Sequence, residues 1–154
     1  MNVQVRRAHV DEAPVVAVLV ARLLAELGRA EVDARALLET TRKLLAAGDV
    51  AALLVLVDER PAGVLTLNQC AAIYAGGRFG EICELYVGPD DRSAGLGRRL
   101  IEAAVAHARK AGWTRLEVGA PDLPRWQRTA AFYQANGFTL VGPRLKRQID
   151  PAAD

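Results

Sequence analysis

Residues 81–100 constrain the fold of this 154-residue chain more than any other segment. Apolar and β-branched residues over Glu81–Val87 predict a strand. Two glycines, Gly95 and Gly97, follow within a short loop, and the spacing of apolar residues then predicts an amphipathic helix over Arg98–Ala111. A strand that runs through a short loop into a helix places the unpaired N–H groups of the first helical turn beside the end of that strand.

The start of this helix is suited to bind an anion. Its free N–H groups carry a partial positive charge, and glycines remove the β-carbons that would hold a phosphate away from them. Arg92, Arg98 and Arg99 add positive charge at the end of a helix where cations are unfavourable, which fits a bound anion. The alternative is a loop whose glycines only allow a tight turn. The Walker A pattern and the G-x-G-x-x-G dinucleotide pattern are both absent from the sequence.

The rest of the chain predicts a mixed α/β fold. Helices are predicted over residues 11–27, 33–47 and 126–136, and further strands over Val3–Arg7, Ala51–Val57, Gly63–Tyr74, Trp113–Gly119, Phe138–Val141 and Lys146–Ile149. Residues 76–80 predict a flexible connector. The order β-α-α-β-β-β-α-β-α-β-β indicates a mixed sheet with helices on both faces. We expect one domain over residues 1–150 and a short tail over 151–154.

Composition and charge exclude several classes of protein. Apolar residues make up 51% of a chain without repeats, and the net charge of +2 is too small to indicate nucleic acid or a membrane surface as a partner. Arg22 and Glu26 interrupt the apolar stretch that follows Arg6 and Arg7, so we expect a cytoplasmic protein rather than a secreted one.

The two cysteines, Cys70 and Cys83, lie in apolar segments without metal-ligand spacing, so no metal is expected. They are interpreted as small buried hydrophobic residues, with a disulfide or a nucleophilic thiol as the alternatives.

Three blocks of sequence together resemble one known family. Arg92-x-x-Gly95-x-Gly97 matches the R/Q-x-x-G-x-G/A signature of the GNAT family of N-acetyltransferases, and Leu85-Tyr86-Val87-x-Pro89 resembles that family's fourth strand. Residues 132–138, FYQANGF, resemble its F-Y-x-x-x-G-F block at the expected separation. The order of elements is similar to that family over nearly the whole chain.

The resemblance implies an enzyme that transfers an acetyl group from acetyl-coenzyme A to an amine. It implies a sheet that opens between the fourth and fifth strands at a β-bulge, forming a slot for the cofactor. It also implies a set of cofactor-binding residues: the backbone of Leu85, Tyr86 and Val87 for pantetheine, and Arg92, Ser93, Ala94, Gly95, Leu96, Gly97 and Arg98 for the pyrophosphate. Trp126 stands near the position where many members have an asparagine that contacts the cofactor. We therefore do not expect cofactor contacts from the loop that precedes it.

Acetyl transfer needs a base, because a lysine-like amine costs roughly 4.6 kcal/mol to deprotonate at pH 7. Glu84 is the first candidate because it precedes the pantetheine-pairing segment; Glu117 is the second, and Glu81 remains open. Simple alternation places Glu81 with Cys83 and Leu85, and Glu84 on the opposite face, unless a bulge near the end of the strand shifts the register. The alternative for each carboxylate is pairing with an arginine or exposure to water.

Tyr133 is the candidate acid. Its counterpart in the family directs a phenol at the coenzyme sulfur, and a phenol of ordinary pKa would protonate that thiolate at a cost of about 2 kcal/mol. The alternative is an aromatic core residue beside Phe132. His9 and His107 are interpreted as structural or solvent-exposed.

Two other functions remain open: a catalytically inactive coenzyme A sensor, which Tyr133 disfavours, and a nucleotide-binding regulatory domain. The acceptor is expected to be a small-molecule or peptide amine, and the acidic candidates favour a cationic one. Acetyl versus a longer acyl donor stays open, as does a homodimer. The segments expected to select the acceptor, Gly28–Asp33, Gln69–Gly80 and Gly142-Pro143, carry Glu31, Asp33, Tyr74 and Arg78.

Overall fold

The structure, a computed structural model, describes residues 1–29, 32–119, 127–142 and 144–151. Two compact units make up the chain, Met1–Val118 and Gly119–Asp154. Within the described residues, no helix has both the length and the apolar character needed to cross a membrane.

A five-stranded sheet in the order β1-β2-β3-β4-β5 organises the first unit. Its strands are β1 (Val3–Arg7), β2 (Val50–Val57), β3 (Arg60–Ala72), β4 (Gly77–Val87) and β5 (Leu116–Val118). The first four strands pair antiparallel, and β5 pairs parallel to β4. The predicted mixed sheet is confirmed.

Three helices pack on the two faces of this sheet: α1 (Ala13–Glu26), α2 (Ala34–Ala47) and α3 (Leu96–Ala111). Successive residues of β2 are buried from Ala51 to Val57, so both faces of this strand are covered. Val16, Leu19 and Val20 of α1 form one core cluster with alternate sheet residues, including Val64 and Tyr86. The buried residues of α3 (Leu96, Leu100, Ile101, Ala104 and Ala108) supply apolar surface for the other face.

The predicted connector over residues 76–80 is wrong, because the hairpin between β3 and β4 extends through it. Ala72 pairs with Gly77 and Cys70 pairs with Phe79, so these glycine-rich residues complete a long ladder. Gly80 lacks a side chain for a packing reason: a β-carbon there would lie 2.3 Å from the Trp113 ring.

The second unit contains α4 (Gln127–Ala135). The predicted closing strands over Phe138–Val141 and Lys146–Ile149 are wrong, since the structure has no strand in 138–142 or 144–151. Leu140, Val141 and Ile149 are exposed there. Alternating apolar residues form a strand only where a neighbouring edge completes their hydrogen bonds, and the described residues of the second unit contain no strand that offers one.

Glu12 anchors the start of α1. Nη1 and Nη2 of Arg6 donate to its carboxylate at 2.7 and 2.8 Å, and the His9 N–H donates at 2.9 Å. The hydrogen bonds from Arg6, followed by the one from His9, lower the pKa of Glu12 from 4.5 to about 2. Because the folded pKa is depressed, the stabilisation is present above about pH 4.5 and is lost as the pH falls toward 2.

We therefore expect Glu12→Gln to lower the free energy of unfolding by about 1–2 kcal/mol at pH 7, with the difference from wild type shrinking between pH 4.5 and pH 2. Urea unfolding at several pH values measures this. Asp11→Asn removes an adjacent exposed charge and should stay within about 0.5 kcal/mol of wild type. A difference independent of pH would contradict the assignment.

Candidate active site

The loop between β4 and α3 leads into backbone N–H groups that precede the hydrogen-bond ladder of the helix. After a 3-10 turn over Pro89–Asp91, Ser93 and Gly95 adopt left-handed φ values of 70° and 77°. The hydrogen bond from the Arg99 N–H to the Gly95 oxygen, at 3.2 Å, is the first that the helical repeat allows in α3. The N–H groups of residues 96–98 therefore precede the helical ladder, and Ser93, Ala94 and Gly95 beside them are exposed.

The two glycines of the loop have different roles. Gly95 is the N-cap of α3, and its left-handed conformation favours glycine. Gly97 lies within the first turn of α3, where alanine would favour the helix by about 1 kcal/mol. Helix propensity therefore does not explain a glycine at position 97.

Arg92 makes contacts within the chain at three points. Nε donates to the Val87 carbonyl oxygen at 2.9 Å, and Nη2 donates to both carboxylate oxygens of Glu26 at 2.7 and 2.8 Å. The guanidinium carbon lies 5.7 Å from the centre of the Tyr86 ring. Arg92 thus connects the last residue of α1 to the end of β4.

The other two arginines at the start of α3 are only loosely held. Arg98 pairs with Glu102 one turn along the helix at 3.0 Å, with side chains 74% and 61% exposed. Arg99 donates to the Val3 carbonyl oxygen at 3.5 Å.

β4 has an open edge between its pairing with β5 and the loop. Gly80–Ile82 pair with Leu116–Val118, and β4 then continues to Val87. Within the described part of the chain, no strand pairs with residues 83–87 on the side away from β3. The backbone of Leu85, Tyr86 and Val87 lies in this open segment, and the predicted opening between the fourth and fifth strands matches it.

A β-bulge at Cys83 sets which carboxylates share a face. Thr66 pairs with Glu84 but Leu67 pairs with Ile82, so Cys83 is the extra residue. Glu81 pairs with Asn68, which alternation places on the face of Thr66. Simple alternation, which places Glu81 and Glu84 on opposite faces, is therefore wrong. The bulge considered near the end of the strand lies at Cys83 instead and reverses the alternation between the two residues.

All three candidate carboxylates consequently lie on the α1 face of the sheet. Glu84 lies two residues from Tyr86, which belongs to the core cluster with α1. Glu81 pairs with Glu117 across the parallel ladder, and paired residues share a face. Like charges on neighbouring strands oppose each other, and Arg115 offsets part of this repulsion by pairing with Glu117.

Glu84 is held by a buried hydroxyl. The Thr66 hydroxyl donates to a Glu84 carboxylate oxygen, and the Glu84 N–H donates to Thr66 Oγ1 at 3.0 Å. Thr66 is 3% exposed, whereas Glu84 is half-buried. This pairing fixes the carboxylate of a residue that is itself partly exposed.

Glu117 is paired with an arginine. Nε of Arg115 donates to a Glu117 carboxylate oxygen at 2.8 Å, and Nη2 donates to the same oxygen. The Arg115 guanidinium also lies 5.1 Å from the centre of the Tyr74 ring and 5.7 Å from that of Phe79. Its hydrogen bonds to Glu117 raise the pKa of Arg115, so the guanidinium stays charged and holds Glu117 as an ion pair.

Tyr133 lies on α4 in the second unit. Its ring centre is 5.5 Å from that of Phe132 and 5.6 Å from that of Phe138. Burial raises the pKa of Tyr133 to about 12, so its phenol is neutral and able to donate throughout the physiological range. Aromatic packing and a role as proton donor are both compatible with these contacts.

Comparison with known proteins identifies the family. The model of the Acetyltransferase (GNAT) family matches residues 19–138, which is most of the chain. The chain belongs to the GNAT family. Its fold and its membership indicate an acetyltransferase.

Solved GNAT structures share this architecture. A candidate acetyltransferase from Arthrobacter sp. FB24 is 29% identical, with a TM-score of 0.77 over 96% of this chain and 95% of that one. The ribosomal-protein-alanine N-acetyltransferase of Brucella melitensis biovar Abortus 2308 is 22% identical, with a TM-score of 0.76 over 96% and 99%. An aminoglycoside acetyltransferase from an uncultured soil metagenomic sample, in complex with sisomicin, is 18% identical, with a TM-score of 0.78 over 96% and 95%. No curated protein sequence matches the chain.

Sequence reasoning missed two partners in this GNAT domain. Thr66 and Glu26 contact the candidate residues from distant parts of the chain, and neither stands out in its own segment. The positions of Glu31, Trp126 and Pro143 lie outside the described residues.

One cavity lies apart from the candidate carboxylates and the loop. A cavity of about 250 Å³ is lined by Arg7, Ala8, His9, Val10, Leu45 and Val50, none of which is a candidate residue. Among the described residues, no group of three or more histidine, cysteine, aspartate or glutamate side chains is arranged to hold a metal ion.

Proposed function

We propose that this GNAT protein transfers an acetyl group from acetyl-coenzyme A to a primary amine of a small molecule or peptide, by direct attack in a ternary complex. The observation that carries the proposal is the open edge of β4 next to the exposed loop and the free N–H groups at the start of α3. An extended pantetheine could pair with Leu85, Tyr86 and Val87 as an added strand. The amides of residues 93–98 would then face the pyrophosphate, with Arg92 at the start of this loop.

The acceptor would approach from the α1 face, where Glu84 and Glu81 lie. A cationic amine would be attracted by these carboxylates, and Glu84 would take one proton from it, directly or through a water. The neutral nitrogen would then attack the thioester carbon with its free electron pair. The C–S bond would then break and the nitrogen would lose its second proton. Tyr133 would hydrogen-bond the departing sulfur or protonate it, and the proton released by the nitrogen would reach the sulfur or restore the Tyr133 phenol, directly or through water, so that coenzyme A leaves as the thiol. An N–H of the β4 backbone near Val87 can stabilise the oxyanion.

The held carboxylate of Glu117 makes it a weaker candidate base than Glu84. Protonation would remove the negative charge that holds its ion pair with Arg115, whereas the contact of Glu84 with Thr66 involves no opposite charge. We therefore keep Glu84 first, with Glu117 and Glu81 as the alternatives on the same face.

Gly97→Val tests the cofactor assignment. A side chain in the first turn of α3 should hold the pyrophosphate away from the backbone and raise the Kd for acetyl-coenzyme A at least about tenfold, equivalent to about 1.4 kcal/mol. Calorimetry with acetyl-coenzyme A measures this, and ATP serves as the competing ligand class. Ala106→Val, at an exposed position later in the same helix, controls for the β-branched substitution. Unchanged affinity in a folded Gly97→Val protein would rule out the assignment.

A panel of amines assayed by release of free thiol tests the reaction itself. The panel should contain polycationic aminoglycosides and peptides with a free N-terminal alanine, because proteins of similar fold carry those activities in their names. Thiol release that depends on the acceptor supports the proposal. Binding of acetyl-coenzyme A without turnover of any amine would instead favour an inactive coenzyme A sensor.

A further inference from the structure

The contacts of Arg92 raise a question about its role in the proposed site. A guanidinium at the start of a phosphate-binding loop could act as a direct ligand of the pyrophosphate or as a brace that shapes the loop. In this chain both oxygens of Glu26 contact Nη2, and Nε is bonded to the Val87 carbonyl oxygen. Two of the three guanidinium nitrogens of Arg92 therefore already bind groups of the protein itself.

The Val87–Gly88 peptide is fixed from both sides by this arrangement. Its carbonyl oxygen accepts from Arg92, and its N–H, on Gly88, donates to the Ala62 carbonyl oxygen at 2.9 Å. This peptide is where β4 ends and the 3-10 turn toward the loop begins. Its orientation consequently determines how the open edge of β4 continues into the amides at the start of α3.

We infer that Glu26 is a positioning residue for acetyl-coenzyme A: it holds Arg92 against Val87 and thereby fixes the junction between the strand edge and the pyrophosphate loop. The inference rests on the proposed function. Glu26 is the last residue of α1, so the same contact also joins the end of that helix to the cofactor loop. Arg92 acts here through its fork geometry rather than through its net charge.

The two roles of Arg92 predict opposite signs for one substitution. If Arg92 were a direct phosphate ligand, Glu26 would compete with the pyrophosphate, and Glu26→Gln would tighten cofactor binding. If Glu26 positions Arg92, the same substitution weakens binding, even though it removes a negative charge from the neighbourhood of an anionic ligand. Removing a negative charge near an anionic ligand should by itself tighten binding. Weaker binding by Glu26→Gln would therefore be strong support for the positioning role.

Glu102→Gln is a matched control. Glu102 is the partner of Arg98, and its substitution also removes one negative charge from an arginine pair. This pair is highly exposed and lies within α3, so it does not connect two elements of the fold. We expect Glu26→Gln to raise the Kd for acetyl-coenzyme A at least about fivefold, and Glu102→Gln to leave it unchanged or slightly lower. Arg92→Lys keeps the charge but loses the fork, and should weaken binding as much as Glu26→Gln does.

The experiment is calorimetry of the full chain with acetyl-coenzyme A, followed by steady-state kinetics. Glu26→Gln should raise the KM for acetyl-coenzyme A while kcat stays within about twofold, with a melting temperature near that of wild type because the pair is partly exposed. Binding by Glu26→Gln as tight as or tighter than wild type, or full affinity in Arg92→Lys, overturns the inference alone. A wild-type chain that fails to bind acetyl-coenzyme A overturns the proposed function, and this inference with it.

Discussion

Tyr133→Phe is expected to lower kcat by about 10²–10⁴-fold while leaving the Kd for acetyl-coenzyme A within a few-fold of wild type. The substitution removes only the phenolic oxygen, so the ring contacts with Phe132 and Phe138 should persist. A loss of kcat without a loss of affinity is the signature of an interaction made in the transition state. Single-turnover measurement of thiol release separates this step from product release.

The pKa of Tyr133 refines the expected role. With a pKa of about 12, full proton transfer to a thiolate of ordinary pKa near 8.5 is uphill by about 5 kcal/mol, more than the sequence alone indicated. A hydrogen bond that strengthens as the C–S bond breaks is therefore favoured over early protonation. Because the phenol stays neutral up to about pH 12, kcat should show no basic limb from Tyr133 in the usual assay range. Full activity in Tyr133→Phe would show that the phenol takes no part in catalysis and that Tyr133 contributes only aromatic packing.

The sequence predicts the strand, loop and helix over residues 81–100 well because their determinants are local. A strand, a pair of glycines and an amphipathic helix follow one another within about twenty residues, and the φ of 77° at Gly95 is a conformation that glycine favours. The start and end of α2 follow for the same reason: Asp33 caps it by accepting from the Arg35 N–H at 3.0 Å, and Gly48 ends it in a left-handed conformation.

The arrangement of the carboxylates could not be predicted, because it depends on pairing with another strand. Nothing in residues 81–87 marks Cys83 as the bulged residue; the bulge appears only in the register against Thr66 and Leu67. Gly80 shows the same dependence, since its role lies in packing under Trp113. The ion pair between Glu26 and Arg92 joins residues 66 positions apart, beyond any local pattern.

Glu84→Gln is the second large expected effect. The amide cannot take a proton from the acceptor, and kcat/KM should fall by about 10²–10⁴-fold with loss or displacement of the acidic limb of its pH profile. Glutamine has nearly the same shape and can still accept from the Thr66 hydroxyl, so the fold and cofactor affinity should be retained. The measurement is the pH dependence of kcat/KM with the best amine of the panel.

The same face of the sheet supplies matched controls for this test. Glu117→Gln removes an equal charge from the parallel neighbour, but one already held by Arg115, so a change of only a few-fold is expected. Glu81→Gln removes the alternative that the bulge at Cys83 brings to this face. If Glu84→Gln keeps the wild-type profile while Glu81→Gln loses the acidic limb, Glu81 is the base. If neither profile changes, proton removal depends on neither carboxylate, and a weakly basic acceptor that is already neutral at the working pH becomes the better explanation.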